Sequence, residues 1–136
     1  MKIINRIFPF LLSAMLLTAC DSCKKKPEIV QEQSLQIRLD PPATAPVRTT
    51  GPTYAFKVIV ESSMPERGID LDVTYKKDAD QSIMFNQRYT ATSAASPVDV
   101  TITGIPFNEM GTVTVTATSK STATNTTSKT FSLARK

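Results

Sequence analysis

From Leu35 onward the chain repeats apolar residues at every second position. Leu35, Ile37 and Leu39 alternate with Gln36 and Arg38. Tyr54, Phe56, Val58 and Val60 share one side of a second run, with Lys57 and Glu61 on the other. Ile69, Leu71, Val73 and Tyr75 alternate with Asp70, Asp72, Thr74 and Lys76, the cleanest stretch in the chain. Ile83 and Phe85 open a fourth run. Val98, Val100 and Ile102 form a fifth, Val113, Val115 and Ala117 a sixth, and Phe131 and Leu133 mark the last. A period of two places alternate side chains on opposite faces of a strand. The breaks carry turn residues, as in Pro65-Glu66-Arg67-Gly68, Lys77-Asp78-Ala79-Asp80 and Gly104-Ile105-Pro106. About seven short strands with one apolar and one polar face predict an all-β, antiparallel sandwich over residues 34–136. A jelly roll or an open barrel is the other architecture this pattern allows. The threonines opposite Val113 and Val115 suit a soluble outer face, because threonine is a good β-former.

The N-terminal segment follows a different rule. Lys2 and Arg6 precede an apolar stretch, Ile7 to Leu17, that is too short to span a bilayer, which takes roughly 20 residues. A charged start, a short apolar core and a small-residue exit mark a secretory signal. It closes on Leu17-Thr18-Ala19-Cys20. A branched apolar residue, two small residues and a cysteine resemble the lipobox of bacterial lipoproteins. The resemblance implies cleavage after Ala19, with residues 1–19 as the signal, and lipid on Cys20. Two or three acyl chains anchor stably where one does not, at about 0.8 kcal/mol per buried methylene.

Composition changes the picture in two ways. Lys2 and Arg6 leave with the signal, so the formal net charge falls from +4 to +2 and a nucleic-acid partner is not expected. Cys20 is assigned to lipid, so of the two cysteines only Cys23 is left, outside the domain, as a second acylation site, an intermolecular thiol or a residue without a role. The domain therefore has no internal disulfide. Residues 20–33 read as the lipidated cysteine and a flexible tether, polar and punctuated by Pro27. Lys24-Lys25-Lys26 sits beside the bilayer in this reading, where each lysine adds about 1 kcal/mol of attraction to anionic headgroups. Asp21 resembles the inner-membrane retention signal of enterobacterial lipoproteins, whereas the lysine run resembles lipoproteins of the Bacteroidetes type. The expectation is the cell envelope, outer membrane before inner, on either its periplasmic or its outer face.

Ile102-Thr103-Gly104-Ile105-Pro106, followed by Gly111-Thr112-Val113-Thr114-Val115-Thr116-Ala117, resembles the E-to-F region of fibronectin type III and related Ig-like domains. This implies an Ig-like sandwich. The core tryptophan of that family is absent, and no tyrosine stands near Thr112 for its corner.

Chemistry is scarce. The chain has no histidine, which removes the commonest general base and metal nitrogen ligand. No catalytic residue and no cofactor is expected. Asp70 and Asp72 share one strand face and read as solvated. Asp78, Asp80 and Ser82 have the alternate-oxygen spacing of the start of a calcium loop, without its glycine or distal glutamate. Tyr54, Tyr75, Tyr89 and Phe107, the aromatics open to a glycan role, read as core or rim. Residues 119–128 read as a mobile hairpin tip whose Lys120, Thr122 and Asn125 are the loop residues to test for partner contacts. The expected function is a lipid-anchored, non-catalytic module for binding, adhesion or assembly, with an envelope protein or a glycan as partner. A small-ligand receptor or an envelope enzyme is the alternative.

Overall fold

A computed structural model describes residues 31–92 and 96–136. The segment expected to be a signal, Cys20, Cys23 and the expected tether up to residue 30 lie outside the described residues. Eight strands follow one another without a helix among the described residues: β1 Ile37–Asp40, β2 Val47–Thr49, β3 Tyr54–Val60, β4 Ile69–Lys77, β5 Ile83–Ala91, β6 Val98–Ile102, β7 Met110–Ser119 and β8 Thr126–Arg135. One sheet has the order β1-β3-β6 and the other β2-β8-β7-β4-β5. The chain thus changes sheets repeatedly, and the two-sheet order is that of an Ig-like sandwich.

The alternation works as the sequence predicts. Ile69, Leu71, Val73 and Tyr75 point inward and are fully buried, as are Val113, Val115 and Ala117 on the neighbouring strand. The facing sheet contributes Ile37, Leu39, Phe56, Val58, Val100 and Ile102. Each such residue contributes roughly 1.5–3 kcal/mol by leaving water. Phe56 bridges the sheets, its ring 5.5 Å from that of Phe131 in an edge-on contact and 5.9 Å from Tyr54. Tyr54 is half-buried against this pair.

The outer face of the larger sheet is a registered array of small polar side chains. Thr116 lies opposite Ser128 and Thr118 opposite Thr126, with hydroxyl–hydroxyl distances of 2.9 and 3.1 Å. Thr90 Oγ1 donates to Asp70, and Arg88 makes a two-pronged contact with Asp72 at 2.7 and 3.1 Å. Asp70 and Asp72 are therefore held by their cross-strand partners.

The sandwich has eight strands rather than about seven, and it is not purely antiparallel. β2 pairs parallel to β8, with Val47 opposite Leu133. Three residues with one inward valine carry too little period to be seen in sequence. β5 runs to Ala91, well beyond Ile83 and Phe85, because Asn86, Gln87 and Arg88 hide its alternation. A bulge at Tyr75/Lys76 also separates Ile83 from Phe85, leaving Ile83 57% exposed.

Two glycines are required by close approach. Gly111 sits where a Cβ would run into the Lys76 carbonyl and the Tyr75 ring. Gly68 has φ +81°, and a Cβ there would meet the Ala91 carbonyl.

Candidate interaction surface

The loops gather at two opposite ends. The N-terminal pole holds residues 31–36, the β3–β4 loop and the β7–β8 loop. The C-terminal pole holds the β4–β5 turn, the segment before β7, and Lys136, whose N–H donates to Thr49. The ten residues of β7 separate the poles by about 30 Å.

At the N-terminal pole Asn125 is the hub. Its Nδ2 donates to Glu32 Oε2 at 3.1 Å and to the Gln33 carbonyl at 3.0 Å, and its Oδ1 accepts from the Leu35 N–H at 2.9 Å. Ser119, buried, donates from Oγ to Glu32 Oε1 and accepts from the N–H groups of Ser121 and Thr122. The bond from Asn125, aided by those from the serines and Thr122, holds the Glu32 carboxyl below its ordinary range. Ser63 N–H donates to Gln33 Oε1, and Lys120 N–H donates to the Gly68 carbonyl. Glu32 and Gln33, read from sequence as the end of a flexible tether, are thus bonded to the domain. The loop between β7 and β8 is Lys120 to Asn125, and Asn125 N–H also donates to the Thr122 carbonyl. This network pins a loop that the sequence reading expects to be mobile. Of the three loop residues singled out there, Asn125 spends its side chain inside the pole, while Lys120 and Thr122 face solvent.

The C-terminal pole is different in kind. The four exposed large apolar side chains among the described residues are Phe107 at 67%, Ile83 at 57%, Met110 at 44% and Met84 at 38%, and all stand at or beside this end. Phe107 falls before β7, and the Arg135 guanidinium lies 5.7 Å from its ring centre. Phe107 is neither core nor rim; it is the most open of the chain's large apolar residues described here. Tyr89 is half-buried on β5, and Tyr75 is fully buried. The Tyr75 hydroxyl has no hydrogen-bond partner among the described residues. Burial, reinforced by the Asp78 and Glu109 carboxylates, pushes its pKa up.

Several charged groups of this pole are bonded to neighbours, whereas the buried Arg135 Nε has no hydrogen-bond partner among the described residues. Lys77 Nζ lies 2.7 Å from Glu109, which raises the lysine pKa. Asp78 Oδ1 accepts from Thr112 Oγ1 at 2.8 Å. Asp80 Oδ1 accepts from the Ser82 N–H at 2.9 Å and hydroxyl at 2.6 Å, which lowers the Asp80 pKa. The three spaced oxygen residues therefore bond in two separate directions, Asp78 to β7 and Asp80 back to Ser82. No three His, Cys, Asp or Glu side chains converge among the described residues.

Sequence reasoning missed the concentration of apolar residues at one pole. Phe107 sits in the irregular segment before β7, Met110 is the first residue of β7, and Ile83 and Met84 stand at a bulge, so neither pair shows a period. The chain matches no protein-family model, and no curated protein is similar to it in sequence.

Proposed function

We propose that this chain is a lipid-anchored, non-catalytic binding module of the bacterial envelope that presents its C-terminal pole to a protein partner. The observation that carries the reading is the division between the poles. The end where the chain joins the domain spends the Asn125 side chain on residues 32–35. The opposite end offers Phe107, Met110, Ile83 and Met84 to solvent. Exposed apolar side chains at one end of a rigid scaffold are what a protein contact uses. Leu17-Thr18-Ala19-Cys20 supports the anchor, and the lack of histidine throughout the chain supports a non-catalytic role. An outer-membrane site is favoured, with the tether setting reach.

Two experiments test this. Cys20→Ala is expected to abolish incorporation of palmitate label and to move the protein out of the membrane fraction; a labelled, membrane-bound variant contradicts the anchor. A photo-crosslinking residue at Phe107 is expected to give one dominant adduct in intact cells, at several times the yield of the same residue at Lys120. Equal yields, or a stronger adduct at Lys120, contradict the choice of pole.

A further inference from the structure

The two sheets end in four edge strands, and they are not protected alike. β1 has four residues, carries Arg38 and Asp40 outward and runs into Pro41-Pro42. β2 has three residues, follows Pro46 and carries Arg48. β6 has five, follows Pro97 and carries Asp99. Short length, charge and proline are the devices that keep an edge from pairing with another chain. β5 is nine residues long, has no proline, and has Arg88 as its one charged residue. That charge is matched by Asp72, as Arg38 is by Glu61 and Asp99 by Lys57, so length and the lack of proline are what set β5 apart. Nothing among the described residues pairs with its outer edge. The bulge lies at its start, which leaves Phe85 to Ala91 regular.

The sequence of β5 also suits a second copy of itself. An antiparallel pair about a two-fold axis must place residues of the same face opposite each other. The midpoint of Ile83–Ala91 is Gln87, so a two-fold at Gln87 overlaps the whole strand. It sets Phe85 opposite Tyr89 of the second copy, and Asn86 opposite Arg88. A two-fold at Arg88 would oppose two arginines. Phe85 and Tyr89 pack on the core but stay half-exposed. Pairing across the edge would cover both, and aromatic cross-strand pairs are favourable.

We propose that two copies of this protein pair through β5, antiparallel about Gln87, and that the pairing joins copies held on facing surfaces. The second clause rests on the anchor reading above. Antiparallel pairing reverses the poles, so the two points where the chain joins the domain lie about 30 Å apart, on opposite sides of the dimer. Residues 21–30 reach about 35 Å only when fully extended. With the domain upright, its C-terminal pole outward as proposed above, copies on one membrane would need a tether close to that limit, and copies on facing membranes would not. One strand pair is a small interface, so the contact is weak singly and gains by repetition over a surface.

The test uses the purified full-length chain with Cys23→Ser. In detergent under oxidising conditions, Gln87→Cys is expected to give at least tenfold more disulfide-linked dimer than the Cys23→Ser parent. Directly opposed residues of an antiparallel pair lie within disulfide range. Asn86→Cys and Arg88→Cys each place their sulfurs on a diagonal, about 7–8 Å apart, and are expected to stay monomeric alone but to cross-link to each other when mixed. No excess dimer with Gln87→Cys, or equal dimer at all three positions, overturns the pairing. This arm does not depend on lipid. For the second clause, two populations of phosphatidylcholine–phosphatidylglycerol vesicles carry differently tagged Gln87→Cys chains. Mixed-tag dimer and vesicle clustering are expected on mixing. Dimer within each population without mixed-tag dimer overturns the facing arrangement, and failure to load vesicles at all overturns the anchor instead.

Discussion

Asn125→Ala should loosen the N-terminal pole by a predictable amount. The substitution removes the acceptor for the Leu35 N–H and the donor to the Gln33 carbonyl, at 2.9 and 3.0 Å. Each such bond is worth about 1 kcal/mol net, and a part-buried N–H left unpaired costs somewhat more. The part-buried bond to the Glu32 carboxylate is lost as well, while the bond to the Gln33 carbonyl is exposed and adds less. The loss is about 2 kcal/mol, or roughly a thirtyfold rise in the opening of residues 31–36. Hydrogen exchange of the Leu35 amide reads the opening directly, and the urea midpoint reads the stability. An Asn125→Ala domain with the parent's midpoint and the parent's Leu35 exchange rate would refute the view that this side chain ties the tether's end to the fold.

Three further outcomes follow from the same structure. Glu32 is held below its ordinary pKa of 4.5 chiefly by Asn125, so its bonds are intact above the unfolded-state value and are lost as pH falls through the lower folded value; protection of the Leu35 amide, measured against the free-amide rate at each pH, should therefore fall below about pH 4.5, and Glu32→Gln should flatten that fall. Tyr75→Phe removes a buried hydroxyl that has no partner among the described residues, so it should raise stability by about 1 kcal/mol in urea unfolding; a loss of that size would mean the hydroxyl is bonded. Gly111→Ala drives a methyl into the Lys76 carbonyl and the Tyr75 ring, neither of which can retreat, and should cost about 3 kcal/mol; an unchanged midpoint would show that β4 and β7 are not in this register.

Much of the fold was legible because burial on one face forces a period of two. Ile69 to Tyr75 and Thr112 to Thr118 are each buried on one side only, and both runs declare themselves. β2 did not, because a three-residue strand has room for two inward positions at most. β5 showed only its start, because an edge strand covers its inner face less completely and tolerates Gln87 there. The surface was harder to read than the core. Asn125 looked like a loop residue free to bind, since its partners Glu32 and Leu35 lie about 90 positions away along the chain. Phe107 looked like a rim aromatic, since nothing local in sequence says that its ring faces solvent with Arg135 beside it. Long-range contacts decide both, and a period cannot report them.

The proposed function requires polarity: one pole toward the membrane, the other presented outward. Energy transfer to an acceptor lipid tests this most directly. The lipidated chain with Cys23→Ser is labelled at Lys120→Cys or at Phe107→Cys and placed on vesicles at low surface density. The ten-residue length of β7 sets the two labels about 30 Å apart along the domain axis. The account predicts clearly stronger transfer from position 120. Equal transfer from both positions, or stronger transfer from position 107, would contradict it.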